Sequence, residues 1–337
     1  MSVAVLALAG GASIGPAGFM DALKKADRSW RLQAGTGWTP LFDVSLVGLE
    51  DGPVPCRDGV LLQPHVTAGG LRTPDLVVVP AFDDEDLSAS LAENRAWVPW
   101  LEAWHADGAR IASSCIGAFL LAEAGLLAGR QMTTHWMFAD TMRRQYPDVE
   151  VTSDQLIVDT GDVISCGGAT AFLALVIYLV ERFGGHERAA LASKVLLIDG
   201  SRTSQLPYLA MAPLRDHDDE LIRRVQDHVD AHLDTPYKVE RLARDFGVSP
   251  RTLSRRFRAA TGATLHAYIE QARAHNAKRL LETTTEPIDH IRAAIGYLDP
   301  ASFRRACHRA AGVSPRQYRD IYGLRRTIPS RRRETRL

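Results

Sequence analysis

Short apolar runs alternate with helical segments through the first part of the chain, and this alternation limits its fold most strongly. The run Leu76–Val79 is apolar at every position before Pro80, as in a strand buried on both faces. Further strands are expected at residues 3–8, 41–49, 110–114 and 163–166, and helices at residues 19–26, 97–106, 117–124 and 170–183. This order predicts a parallel sheet with helices on both faces.

Composition narrows the class of protein. The 337 residues favour two domains, and the 46% apolar and 24% charged fractions exclude a disordered chain, collagen and a many-span membrane protein. Four scattered cysteines without a CxxC pair predict neither a disulfide framework nor a zinc site. The longest apolar run, residues 169–180, is too short to cross a bilayer, and the first residues lack a signal peptide's basic segment. We expect a reduced cytoplasmic protein with no metal, no cofactor and no membrane contact.

The formal net charge of zero conceals an uneven distribution. Residues 214–337 contain 25 lysines and arginines against 16 aspartates and glutamates, so the preceding residues carry the matching acidic excess. A basic second part predicts a polyanionic partner, with a chance distribution as the alternative.

Cys115 occupies a position where ligand-binding and catalytic residues are often found. It leaves a predicted strand and enters a helix, and ligands bind beyond the carboxyl ends of parallel strands. The free N–H groups of a helix start favour a thiolate or an anion. A small buried thiol is an equally good interpretation of the local pattern.

The motifs around Cys115 resemble a known family. Residues 114–130, Thr133 to Trp136, Tyr146 to Val149 and Ser165 to Phe172 are similar to the class I glutamine amidotransferase-like domain of GlxA-type regulators in the AraC group. This resemblance implies a flavodoxin-like (ThiJ/PfpI-like) α/β domain over residues 1–213, which binds a small-molecule effector and forms a homodimer. It also places Cys115 at the elbow position of the related enzymes.

The sequence departs from those enzymes around the elbow. Ile116 stands where related proteases carry histidine, residues 10–20 contain no Asp or Glu, and Pro80 to Phe82 replace a glycine pair. His135 is then the remaining candidate base for a nucleophile. We therefore expect no catalytic residues and a sensor pocket lined by Cys115, Ile116, His135, Trp136 and Gly168 and closed by Ile14 and Phe82. The alternatives are an active cysteine amidase or hydrolase fused to a DNA-binding module, and a DNA-binding protein without a ligand.

The second part of the chain contains an internal repeat. Val239, Leu242 and Phe246 precede Gly247, and the same pattern returns as Ile288, Ile291 and Ile295 before Gly296. The offset of 49 becomes 50 after one inserted turn residue. Each copy continues with a helix that starts at a proline, which predicts two helix-turn-helix motifs joined by a helix over residues 265–281. The C-terminal domain is thus expected to be all-α.

The second helix of each copy is rich in arginine and lacks acidic residues. A solvated helix usually mixes signs, so an exposed face of no function is the weaker interpretation. The segment 293–319 resembles the AraC-type DNA-binding domain, with Cys307 where phenylalanine is common. By that resemblance the DNA contacts are Arg251, Ser254, Arg255 and Arg256 in one major groove, and Ala301, Arg304 and Arg305 in the next, about 34 Å along the duplex.

These patterns define the expected organisation. The domain boundary is predicted near Pro213, the DNA-binding domain over residues 214–325, and a basic tail over residues 326–337 that adds phosphate contacts or is merely solvated. The expected partners are a duplex DNA operator, an effector of unknown identity, RNA polymerase and a second copy of the chain.

Overall fold

The computed structural model describes residues 1–34, 38–83, 85–200, 202–209, 215 and 217–324. Contacts divide the chain into two compact units, residues 1–205 and the residues from Leu206 onward. Pro213, the predicted boundary, and the predicted basic tail lie outside the described residues.

The first unit is built on a parallel sheet. Its strands are β1 (Ser2–Leu6), β2 (Asp43–Gly48), β3 (Val54–Pro55), β4 (Leu61–Leu62), β5 (Val66–Thr67), β6 (Leu76–Val79), β7 (Arg110–Ser114), β8 (Gln131–Met132), β9 (Glu150–Val151), β10 (Ile157–Asp159) and β11 (Val163–Cys166). The seven-stranded sheet has the order β10-β11-β7-β6-β1-β2-β5, with β10 antiparallel to β11. Its parallel strands β2-β1-β6-β7-β11 follow the flavodoxin-like order, which confirms the predicted fold.

Helices cover both faces of this sheet. They are α1 (Ile14–Ala34), α2 (Leu87–Asn94), α3 (Val98–Ala106), α4 (Ala118–Glu123), α5 (Ala139–Gln145), α6 (Phe172–Gly184) and α7 (His186–Leu196). Side chains of β6 alternate between two cores: Val77 and Val79 pack with α3 and α4, and Val78 packs with α1 and α6. This alternation explains why every position of that strand is apolar.

The second unit consists of helices. They are α8 (Glu220–Ala231), α9 (Val239–Asp245), α10 (Pro250–Thr261), α11 (Leu265–Thr283), α12 (Ile288–Ala294), α13 (Pro300–Ala311) and α14 (Pro315–Tyr322). One end of α11 contributes Tyr268 to a core around Phe257, and its other end contributes Leu281 to a core around Phe303. Cys307 is buried in that second core and leaves the exposed face unchanged.

The repeat predicted from the sequence forms two helix-turn-helix motifs, α9–α10 and α12–α13. The turn of each motif contains a glycine in the left-handed region, Gly247 with φ +68° and Gly296 with φ +78°. This backbone region is costly for residues with a side chain, so the glycines allow the tight turn. No helix among the described residues is long and apolar enough to span a membrane.

Gly117 allows the turn after β7 to pack against the end of β6. A Cβ at this position would lie 2.5 Å from the carbonyl oxygens of both Val79 and Pro80. These are backbone atoms of a buried strand end, so they cannot move aside cheaply.

We expect Gly117→Ala to destabilise the protein by about 1–3 kcal/mol, the usual cost of overpacking a tight site. Equilibrium unfolding in urea measures this change. Gly69→Ala is the matched control because its Cβ would meet only the Trp100 ring at 3.9 Å. Equal stability of the two variants would contradict the close packing at Gly117.

Candidate functional site

Cys115 forms a strained elbow between β7 and α4. Its φ of +55° lies in the left-handed region, which non-glycine residues seldom adopt. Its N–H donates to the carbonyl oxygen of Gly167 at 3.1 Å, and its own carbonyl oxygen accepts from Thr134 Oγ1 at 2.8 Å. Both peptide groups of the elbow are thereby fixed, and the side chain is almost fully buried.

His135 lies against the backbone that follows β11. A Cβ on Gly168 would overlap the imidazole ring, so the ring packs directly on this glycine. His135 Nδ1 accepts the N–H of Met137 at 3.2 Å, and the centroid of its ring lies 5.4 Å from that of Trp136 at an interplanar angle of 32°. The structure therefore brings three predicted pocket residues, His135, Trp136 and Gly168, into one cluster.

The other predicted pocket residues occupy different environments. Ile116 and Phe82 are buried in the same core as Cys115. Ile14 is 62% exposed at the start of α1. Ligand contact by these residues, and by the cluster around His135, stays a prediction.

A carboxylate approaches the loop after β1 from another part of the chain. Glu93 Oε2 lies 3.6 Å from the point where a Cβ on Gly10 would be. The neighbouring Asn94 holds α2 to this loop, because its side chain exchanges two hydrogen bonds with the backbone of Ala9 at 2.9 and 3.0 Å. Sequence reasoning missed Glu93, since it searched only the loop itself for an acid.

A buried polar network behind the elbow was also missed. Gln205 is 2% exposed, and its Nε2 lies within 3.1 Å of Thr133 Oγ1, Thr134 O and Gln155 O. Ser165 Oγ accepts the N–H of Thr133 at 2.9 Å. The sequence identifies the threonines only as part of a motif, and no local pattern marks Gln205 as their partner.

The two arginine-rich helices have matching ends and faces. Ser249 caps α10 by accepting the N–H of Thr252 at 3.1 Å, and Asp299 caps α13 by accepting two N–H groups at 3.0 and 2.8 Å. Leu253 and Phe303 occupy corresponding buried positions. The exposed faces carry Arg251, Ser254, Arg255 and Arg258 on α10, and Ala301, Arg304, Arg305 and His308 on α13.

These exposed faces correspond residue by residue at an offset of 50. Six of the seven residues predicted to contact DNA lie on them. His308 was missed as the counterpart of Arg258, although the repeat offset identifies it. Neither α10 nor α13 contains an acidic residue that would neutralise its arginines.

Arg256, the seventh predicted contact, is engaged within the protein. Its guanidinium binds the Asp219 carboxylate through two hydrogen bonds, from Nε at 2.9 Å and from Nη2 at 2.5 Å. Asp219 also caps α8 by accepting the N–H of Ile222 at 3.1 Å. These contacts keep the pKa of Asp219 below its ordinary value, chiefly through the hydrogen bond from Arg256.

Comparison with known proteins decides the family. Residues 2–182, more than half of the chain, match the model of the DJ-1/PfpI family. The chain belongs to the DJ-1/PfpI family. Residues 242–321 match a helix-turn-helix domain, which covers both motifs of the second unit.

Relatives of the chain include proteins named as transcriptional regulators. The transcriptional regulator CdhR of Pseudomonas aeruginosa is 27% identical over 286 residues, which are 85% of this chain and 84% of CdhR. The regulator GlxA of Rhizobium meliloti is 29% identical over 209 residues, or 62% of this chain and 64% of GlxA. The resemblance to GlxA-type regulators of the AraC group is thus confirmed.

Two further comparisons concern the first unit. An isonitrile hydratase of Pseudomonas putida is 27% identical over 153 residues, or 45% of this chain and 64% of the hydratase. A crystal structure of a Vibrio parahaemolyticus protein described as a transcriptional regulator has a TM-score of 0.50 and 21% identity, and covers 58% of this chain and 98% of its own. This last likeness supports the fold.

The Asp219 carboxylate should contribute to stability in two separable ways. Asp219→Ala removes the helix cap and the partner of Arg256, and should cost about 1–2 kcal/mol. Asp219→Asn retains the cap and should cost less. Because the folded pKa lies below 3.8, the charge-dependent part is present above that pH and is lost as the pH falls through the folded value.

Urea unfolding of both variants between pH 2 and 7 tests this expectation. Asp219→Asn should lack the part of the wild-type acid destabilisation that comes from this carboxylate. Wild-type stability of Asp219→Asn at pH 7, with an unchanged acid limb, would show that the contact with Arg256 contributes nothing. Equal losses in the two variants would show that the cap contributes nothing.

Proposed function

We propose that the chain is a sequence-specific DNA-binding regulator of transcription that a small molecule controls through its DJ-1/PfpI unit. One observation carries the DNA-binding part: two capped helices present arginine-bearing faces at the same positions of a repeat, with no acidic residue on either helix. Such helices enter successive major grooves, where arginine reads guanine and phosphates attract the remaining charge.

Arg251, Ser254 and Arg255 are assigned to base contacts in one groove, and Ala301, Arg304 and Arg305 to the next. Arg256 is assigned a positioning role, because its ion pair with Asp219 joins α10 to the start of α8. The domain assignment extends this proposal: residues 1–213 sense and dimerise, residues 214–325 bind the operator, and the tail adds phosphate contacts. RNA polymerase is the expected protein partner, in the cytoplasm.

The sensor assignment depends on the elbow. A cysteine nucleophile needs a base and donors for an oxyanion. Here the Cys115 N–H is bonded to the Gly167 carbonyl oxygen, and His135 Nδ1 accepts a backbone N–H. The Cys115 N–H is engaged by Gly167 and cannot also serve an oxyanion, which supports an elbow that holds a ligand without turnover, beside Ile116 and the cluster of His135, Trp136 and Gly168.

A cysteine hydrolase remains the second candidate function. The position of Glu93 favours it, because a carboxylate at the loop after β1 supplies a group that the loop itself lacks. The named activity of the isonitrile hydratase relative gives this candidate a specific substrate class to test.

Arg255→Ala should weaken binding of the full chain to its operator by about 1–3 kcal/mol and reduce discrimination at one base pair. Fluorescence anisotropy with operator variants, at one fixed salt concentration, measures both effects. Arg144→Ala, an exposed arginine of the first unit, is the control. Equal weakening at every operator variant would instead make Arg255 a phosphate contact.

Cys115→Ser should leave operator affinity unchanged, and the wild type should turn over no substrate faster than this variant does. The hydroxyl nearly preserves volume while removing the thiol, so folding is retained. The assay follows an amide, an ester and an isonitrile with the wild type and the variant. Turnover in the wild type that disappears in Cys115→Ser would replace the sensor with the hydrolase.

A further inference from the structure

The segment that leaves the first unit is attached close to the cysteine elbow. The buried amide of Gln205 lies beside Thr134, whose hydroxyl donates to the Cys115 carbonyl oxygen. It also lies beside Gly167, where a Cβ would be 2.6 Å from the Gln205 side-chain carbon. Gly167 accepts the Cys115 N–H. Gln205 therefore lies beside two residues that form hydrogen bonds with the Cys115 backbone.

Backbone hydrogen bonds strengthen this attachment. The Gln205 N–H donates to Asp154 O at 2.8 Å, and the Leu156 N–H donates to Thr203 O at 3.1 Å. Ser204 forms an antiparallel bridge with Gln155. Residues 203–205, which end at the last residue of the first unit, are thus paired with residues 154–156 before β10.

The next residues of the chain are attached within the second unit. Lys278 on α11 donates from Nζ to the carbonyl oxygens of Leu206 at 3.2 Å and Leu209 at 2.7 Å. The Tyr318 hydroxyl on α14, which donates to Glu282, lies 3.2 Å from Pro207 O, and the rings of Tyr208 and Tyr322 meet edge to face at 5.5 Å. Partial burial of the Lys278 ammonium lowers its pKa to about 8.

We propose that residues 203–209, here called the strap, transmit the state of the cysteine elbow to the DNA-binding helices, with Gln205 and Lys278 as the positioning residues at its two ends. The buried Gln205 and Leu206, whose carbonyl oxygen Lys278 binds, are consecutive residues, so no unattached residue separates the two attachments of the strap. A ligand that moves Thr134 or Gly167 displaces Gln205, and covalent continuity passes that displacement to α11 and α14. This inference rests on the proposed function.

Hydrogen exchange on the full chain, without DNA or effector, tests the strap directly. Thr134→Val removes the hydroxyl bond to the elbow and should accelerate amide exchange about fivefold at Gln205, as loss of a typical hydrogen bond does. The same variant should accelerate exchange at Leu209, whose N–H donates to Leu206 O in the second unit. Thr134→Ser, which keeps the hydroxyl, should exchange like the wild type.

The coupling must act in both directions, because linkage is reciprocal. Lys278→Met should accelerate exchange at Leu209 and also at Gln205. Lys238→Met, an exposed lysine of the same unit, is the control and should change neither. Changes that stop at the junction between Gln205 and Leu206 in both variants would overturn the proposal and leave the strap a passive tether.

DNA binding supplies the functional arm of the test. The probe is a duplex that the wild-type chain selects from a random pool. Thr134→Val should change the Kd for this duplex severalfold in the wild-type background and not in the Lys278→Met background, since the second substitution releases the strap. Equal effects in the two backgrounds, or no effect in either, would overturn the proposal.

Two arrangements keep the outcome interpretable. If Thr134→Val fails to fold, Gln205→Glu replaces it, because it retains the shape of the side chain and turns a donor into an acceptor facing three oxygens. If the wild type selects no duplex, the proposed function is refuted, and the exchange experiment alone decides whether the strap transmits.

Discussion

The hydrogen bond from the Cys115 N–H to the Gly167 carbonyl oxygen fixes the backbone of the cysteine elbow in the first unit. It joins the carboxyl ends of β7 and β11, and it holds a non-glycine residue in the left-handed region. Gly117 must lack a side chain for the following helix to pack, and Gly168 must lack one for His135 to approach. The conformation of the elbow and the tight packing around it therefore depend on each other.

The first unit was predictable in its layers and strand order because parallel strands buried on both faces leave a clear pattern. The run Leu76–Val79 shows this: each side chain meets an apolar core, so each position is apolar. The repeat made the two helix-turn-helix motifs of the second unit predictable, including Pro250 and Pro300 at the helix starts, whereas the joining helix ends at Thr283, two residues beyond its predicted end. Both signals are patterns within a single sequence, so no alignment is needed to find them.

The pocket residues were harder to place because side-chain direction depends on distant contacts. Ile14 was expected in the loop before a helix over residues 19–26, whereas α1 begins at Ile14 itself, and the exposure of this side chain follows from how that helix meets the sheet. Arg256 belongs to an arginine-rich helix, and only the distant Asp219 turns it into an internal ion pair. Gln205 reaches the elbow, and Glu93 reaches the loop after β1, from outside the motifs, so no pattern in the motif residues could reveal them.

The repeat also has a consequence for the orientation of the protein on DNA. The two exposed faces correspond in position and differ in content, with arginine at 251 against alanine at 301, and serine at 254 against arginine at 304. On the proposed function, a single chain would then bind two unlike groups of bases rather than a tandem copy of one. Its footprint on DNA would be asymmetric, so the base sequence of each site would fix the orientation of the regulator along the duplex.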